Sequence, residues 1–303
     1  VSINGDARVV VLIDGRRLDN TSGGTVAGNS GSGSKAMVDI NQITSMDNID
    51  KIEVIKGPGA SIYGADATGG VINIITKKGG QKTTGSIDYS AGSWNKRNYG
   101  MSVSGGSDDG KLKVFMSGRR ETGSDSHYKD GLTGVNHKWA QTGYKEDSIN
   151  ARVDYDFDDT HRLTVAYSHL QGDDDYPLTA PYYKYLNPTD WERIKQYYDQ
   201  GITGDVKNPG YRNVWIMWLG AYNAYNKNNY DVTYSFNKEN GMESFIRYYK
   251  QNERYWGSFG GGDGDLTAPL PFTKEWDEWA KTHYRGRNYR SYYNELKNDG
   301  VQL

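Results

Sequence analysis

Ile149-Asn-Ala-Arg-Val-Asp-Tyr-Asp-Phe157 sets an apolar residue at every second position and a polar one between. Side chains of an extended strand point alternately to its two faces. Ile149, Ala151, Val153, Tyr155 and Phe157 therefore share one face, and Asn150, Arg152, Asp154 and Asp156 share the other. A dry core between two sheets would bury the arginine and both aspartates, at a cost of several kcal/mol for each left unpaired. The charged face suits a wet lumen, and the apolar face suits the outside of a barrel.

The same alternation recurs on both sides of this stretch. Upstream it runs through Ile87, Tyr89 and Ala91, through Tyr99, Met101 and Val103, and through Leu112, Val114 and Met116. Downstream it runs through Leu163, Val165 and Tyr167, and through Tyr230, Val232, Tyr234 and Phe236; a weaker case spans Glu243 to Arg254. That makes about seven strands from residue 84 on. Gly106–Gly110, Asp158–Thr160 and Lys238–Gly241 read as short turns, and long segments separate them at about 122–146, 172–228 and 255–303. Tight turns at one end and large loops at the other are the asymmetry of an outer-membrane barrel. Ser93–Lys96 is short for an outer loop.

Composition agrees with a strand-and-turn protein. The chain has 25 Tyr, 8 Trp and 38 Gly against 7 Pro, and only 35% of its residues are hydrophobic, which is low for a large soluble core. With no Cys, disulfide frameworks and thiolate metal sites are excluded. A net charge of −2 gives no reason to expect nucleic acid. The chain has no apolar run long enough for a transmembrane helix, a test to which barrel strands are indifferent. No cofactor is expected. His127, His137, His161, His169 and His283 have neither metal-ligand nor triad spacing, so an enzyme is not expected.

The first eighty residues differ. Arg8-Val-Val-Val-Leu-Ile-Asp-Gly15 is a strand ending in an Asp-Gly turn, Ile49–Ile55 alternates as a half-buried strand, and Val71–Lys77 is a third strand. Between the last two lies Lys56-Gly-Pro-Gly-Ala-Ser-Ile-Tyr-Gly-Ala-Asp-Ala-Thr-Gly-Gly70. It lacks the Gly-Lys-Ser/Thr of a phosphate loop. In this order, Leu-Ile-Asp-Gly, Ile-Glu-Val-Ile-Lys-Gly-Pro, Ser-Ile-Tyr-Gly and Gly-Gly-Val-Ile-Asn-Ile-Ile-Thr-Lys resemble the plug domain of TonB-dependent outer-membrane receptors. The motif positions are Asp14, Gly15, Gly57, Pro58, Tyr63, Gly64, Gly69, Gly70 and Asn73.

The resemblance implies a C-terminal half of a plug over residues 1–80, and over 81–303 the N-terminal part of a transmembrane antiparallel β-barrel of about 22 strands. It implies an active importer of a bulky scarce solute, such as a ferric siderophore, cobalamin or haem, in the outer membrane of a diderm bacterium. Its partners would be that ligand, outer-membrane lipid and a TonB-type energy transducer. The chain opens at Val1 without an initiator Met or a visible TonB box, and ends in a polar stretch; a non-functional fragment is the expectation.

Ligand contacts are expected from the hydroxyl- and amide-rich loop 19–35, at Asn20, Thr21, Ser22, Asn29, Ser34 and Lys35, and from Tyr182, Tyr183 and Trp191 in the long loop. The first loop also reads as a Gly/Ser linker, and the aromatics also read as loop packing. Thr189 and Glu192 have capping-box spacing, and 273–281 and 291–297 look helical. Asp173, Asp174 and Asp175 read either as a weak Ca²⁺ site or as a solvated acidic loop. Glu53 and Lys56 are expected to face the barrel wall as plug–barrel contacts. A soluble or surface-attached β-rich glycan-binding protein is the alternative from a different class.

Overall fold

The computed structural model describes residues 3, 9–18, 44–57, 67, 69–129, 136–139, 142–175, 222–236, 244–258 and 292–303. They form a small sheet and a large one. The small sheet comprises β1 (Val9–Ile13), β2 (Arg16–Arg17), β3 (Ile49–Lys56) and β4 (Gly70–Thr76), in the order β2-β1-β4-β3. β1 and β4 run parallel, Val9 beside Gly70 through Ile13 beside Ile74.

These central strands are apolar at nearly every position because both of their faces are covered. Ile3, Val11, Ile72 and Ile74 make one apolar cluster, and Val10, Leu12, Ala67 and Val71 make the other. β3 is the outer strand and lies largely exposed. Asp14 (φ 46°) and Gly15 (φ 77°) form the two-residue turn between β1 and β2, with both φ positive as such hairpins favour. Gly70 (φ 137°) begins β4, where a Cβ would come within 2.5 Å of the Ile55 carbonyl oxygen.

The large sheet is an antiparallel meander of eight strands: β5 (Thr84–Gly92), β6 (Lys96–Gly106), β7 (Leu112–Gly123), β10 (Tyr144–Asp156), β11 (Arg162–Asp175), β12 (Tyr222–Phe236), β13 (Ser244–Ser258) and β14 (Tyr292–Gln302). A short hairpin, β8 (Ser126–Lys129) and β9 (Asn136–Trp139), stands between β7 and β10. Eight strands replace the expected seven, because 292–302 is a strand and not a helix. The strands also run further outward than expected: β11 reaches Asp175, β12 starts at Tyr222 and β13 reaches Ser258, so the intervening segments are shorter than 172–228 and 255–303. The helices expected near 189 and over 273–281 lie outside the described residues, as does the turn at 238–241. The short connection between β5 and β6 closes through Trp94 (φ 60°) and Asn95 (φ 55°), a left-handed pair that makes a tight hairpin there.

Register aligns the outward residues into rows. Val114, Val153, Val165, Val232, Tyr248 and Val301 are successive Cα partners across neighbouring strands. Two rows further out, Ile87 and Met101 on β5 and β6 are still apolar, but the same level on β11 to β14 is His169, Asn228, Asn252 and Lys297. The apolar band thus crosses the rows obliquely, as it must when strands tilt through a layer. Rings gather at its edges: Tyr155, Phe157, Tyr234 and Phe236 near the short turns, and the Tyr89–Tyr99 and Tyr167–Tyr230 pairs further out. Beyond the second group the outward face is polar, with Arg120 on Asp147 and Arg254 on Glu295.

Candidate functional site

The small sheet sits against the inner face of the large one, and the described joints between them are hydrogen bonds, ion pairs and two cations over aromatic rings, Arg16 on Tyr249 and Lys77 on Phe115. On the wall, alternation aims Asn150, Arg152 and Asp154 inward, and all three are buried. Asn150 donates to Ser45 Oγ at 2.9 Å. Arg152 is held by Asp154 through two hydrogen bonds of 2.9 and 3.0 Å, and Thr164 donates to the same carboxylate at 2.7 Å. The arginine then donates from Nη1 to Thr76 Oγ1 at 3.1 Å and to Asp14 Oδ2 at 3.4 Å. Ile149, Val153, Tyr155 and Phe157 are exposed on the opposite face, as the alternation requires.

Two further arginines bridge the sheets. Arg119 of β7 clasps Asp47 in the 3-10 turn Met46–Asn48, and also meets Asp88 at 3.2 Å. Arg16, from the small sheet, reaches Asp231 at 3.7 Å and Gln251 at 3.4 Å, and its guanidinium lies over the Tyr249 ring. A crevice of about 370 Å³ opens beside these joints, lined by Asp14, Asn73 and Thr76 on one side and Arg152, Asp231 and Arg247 on the other.

The motif residues have structural tasks. Asp14 accepts from the Thr76 backbone N–H at 2.9 Å and from its hydroxyl at 2.6 Å, tying the β1–β2 turn to the end of β4. Asn73 accepts from the Gly15 N–H at 3.0 Å and donates to Glu53 at 3.2 Å. Gly57 (φ 92°) takes a left-handed conformation just after β3, and Gly69 is buried before β4. Pro58, Tyr63 and Gly64 lie outside the described residues.

Glu53 and Lys56 do not meet the wall among the described residues. Glu53 pairs with Lys51 at 2.7 Å, which holds its carboxyl below the usual range, and Lys56 is exposed. The reason is topological: β3 is the edge strand furthest from β1 and β2. The described residues that touch the wall sit in the β1–β2 turn and β2, in the segment before β3, and at the end of β4 and just after it.

The expected ligand contacts Asn20, Thr21, Ser22, Asn29, Ser34, Lys35, Tyr182, Tyr183 and Trp191 all lie outside the described residues. Further out than the joints, the inner wall carries a group not singled out from sequence. Leu170, Tyr225 and Tyr255 pack together, and Tyr225 donates to Glu146 at 2.5 Å. Lys227, Gln251 and Glu253 are buried beside them. Their inward positions in the alternation were the available signal.

Asp173, Asp174 and Asp175 form neither a Ca²⁺ cluster nor a loop. They end β11 in register with β12, so Asp174 points to the face opposite its neighbours. Among the described residues, no three His or carboxylate side chains converge as metal ligands. Asp175 lies beyond the apolar band, beside a cavity of about 670 Å³ shared with Asp125, His127, Tyr144 and Lys145. Burial, with Asp125 adding like charge, pushes its carboxyl up to about 6.

Residues 1–71 match the family model of the TonB-dependent Receptor Plug Domain. The chain is 31% identical over 153 residues to the vitamin B12 transporter BtuB of Vibrio vulnificus (strain CMCP6), covering 50% of this chain and 22% of that protein. It is 28% identical over 164 residues to the iron-regulated outer membrane virulence protein of Vibrio cholerae serotype O1, covering 53% and 23%. Among solved structures, the siderophore receptor PirA from Acinetobacter baumannii superposes with a TM-score of 0.55 at 19% identity, over 83% of this chain and 33% of that one. The ferric yersiniabactin uptake receptor FyuA from Yersinia pestis does so with a TM-score of 0.55 at 17% identity, over 84% and 33%. The chain therefore spans about a quarter of the curated relatives it matches.

Proposed function

We propose, from the premise that this chain is a TonB-dependent receptor plug joined to part of its barrel wall, that the intact protein imports a bulky scarce solute across the outer membrane of a diderm bacterium. One observation carries the reading: a plug sheet with the family's Asp-Gly and Asn motif residues is seated on the polar face of a wall whose other face is an apolar, aromatic-edged band. The band fits outer-membrane lipid. The polar inner face fits a water-filled lumen that the plug blocks.

The solute belongs to the class of ferric siderophores, cobalamin or haem, which general pores do not supply and which need energy to concentrate. A TonB-type transducer supplies that energy in the whole protein. Loop 19–35 and the aromatics Tyr182, Tyr183 and Trp191 are the proposed ligand contacts, together with Tyr225 and Tyr255 on the inner wall. The test is uptake by the intact protein in a host stripped of its own receptors, with and without its transducer. Accumulation of one of these solutes only when the transducer is present is the expected result. Uptake that ignores the transducer would refute active import.

A further inference from the structure

We propose that Arg152 is a clasp, a positioning residue that holds both central plug strands to the wall, so that the plug leaves its seat when the Asp14–Thr76–Arg152 junction opens. The inference rests on the plug-and-wall reading above. Four observations carry it.

The first is reach. Arg152 touches the carboxylate of the β1–β2 turn and the hydroxyl that ends β4 at once, from a single nitrogen. The other arginine joints differ in reach, not in closeness, since Arg119 holds both Asp47 oxygens. Arg119 holds only the short turn before β3, and shares its charge with Asp88 and Glu121 of the wall itself. Arg16, on β2, meets the wall at 3.4 and 3.7 Å and lies over the Tyr249 ring.

The second is preorganisation. The pairing with Asp154, backed by Thr164, fixes the guanidinium plane before the plug is considered, so little side-chain freedom is lost on docking.

Reversibility is the third. When the junction opens, Arg152 keeps Asp154, and Asp14 keeps the Thr76 N–H and hydroxyl. Neither charge is stranded, which is the usual penalty for breaking a buried pair. The adjoining crevice admits water to the groups that part.

The fourth is the absence of apolar glue. Among the described residues, the apolar clusters of the plug contain plug residues alone, and the wall cluster contains wall residues alone. The buried Phe115 of the wall lies under the Lys77 ammonium and Tyr249 under the Arg16 guanidinium, and the other described contacts across the seat are hydrogen bonds and ion pairs, so charged and polar joints set the threshold.

The experiment is hydrogen exchange on the intact protein, comparing parent, Arg152→Ala and Asp14→Asn, with Arg120→Gln on the outward face as control. Asp14→Asn keeps an acceptor for the Thr76 N–H while removing the charge, so it tests the clasp even if Arg152→Ala folds poorly. Both variants are expected to exchange about tenfold faster or more over Val9–Arg17 and at the end of β4, with the control unchanged; the wall strands stay unchanged in Asp14→Asn, which leaves the Arg152–Asp154 pair intact. Parent-like exchange in both variants would overturn the clasp. Passage of a glycopeptide antibiotic too large for general pores is read in the same cells, and is expected to rise. Faster exchange without added passage would leave the clasp standing and overturn the plugged-channel reading.

Discussion

At the scale of single residues, Gly70 and Asp175 show how position decides what a side chain costs. Gly70 combines a φ that L-residues rarely adopt with a carbonyl 2.5 Å from where a Cβ would sit. Gly70→Ala is expected to destabilise the plug by about 1–3 kcal/mol from backbone strain alone, with the clash added. Thermal unfolding of the intact protein, followed by proteolysis of the plug, measures it. Asp175 gives a pH dependence. Its folded value of about 6 lies above that of an unfolded aspartate, so the folded outer end of β11 binds the proton more tightly. Local stability there is full below about pH 4, falls as pH rises towards 6, and is flat above that. Asp175→Asn is expected to remove the slope, read as amide exchange of β11's outer residues between pH 4 and 7. A slope that survives the substitution would assign it to another group. From sequence the three consecutive aspartates looked like a loop; their pairing with β12 is a long-range fact that composition does not carry.

Among elements, outward and inward faces can be tested against each other. Val165 lies in the middle of the apolar band, whereas Gln171 lies beyond the outer tyrosine pair on the same face of the same strand. Val165→Arg is expected to cost about 2–4 kcal/mol in the folded intact protein, and Gln171→Arg about 0–1 kcal/mol. Urea titration of refolding into lipid vesicles separates the two. Equal costs would mean that the band does not meet hydrocarbon. The alternation that places these faces was readable for β10 because Arg152 and Asp154 stand against Val153 and Tyr155 within one strand. It was not readable for β14. There Glu295, Lys297 and Asp299 face outward and Asn294 and Asn298 inward, so both faces are polar and the segment mimics a solvated helix. Only its partner reveals it: Arg254 of β13 binds Glu295 across the ladder at 3.1 Å. The plug was legible for another reason. Asp14, Gly15, Gly70 and Asn73 each meet a backbone requirement that few residue types satisfy, which keeps the motif recognisable. Glu53 and Lys56 carried no such constraint, and their direction depends on where β3 sits in the sheet order.

For the molecule as a whole, the wall sheet raises a question of closure. Its order runs from β14 to β5, and among the described residues these two strands pair only on their inner sides. A sheet in hydrocarbon must satisfy every backbone N–H and C=O, and each one left bare costs several kcal/mol. Among the described residues, no strand pairs with the far edge of β5, which has nine residues, or of β14, which has eleven. Each unpaired edge group that falls within the apolar band adds to that penalty, and burial of the outward apolar rows does not remove it. Water on the inner side relieves only the joints near the plug. The polypeptide Val1–Leu303, expressed on its own behind a secretion signal, is therefore expected to aggregate or be degraded instead of inserting as a monomer. Outer-membrane fractions run with and without heating decide it. A heat-modifiable, protease-resistant monomer would show that these eight strands close by themselves, and the wall would then be a complete small barrel instead of part of a larger one. Aggregation on its own, with the same residues stable inside the intact protein, would place the missing edge partners elsewhere in that protein.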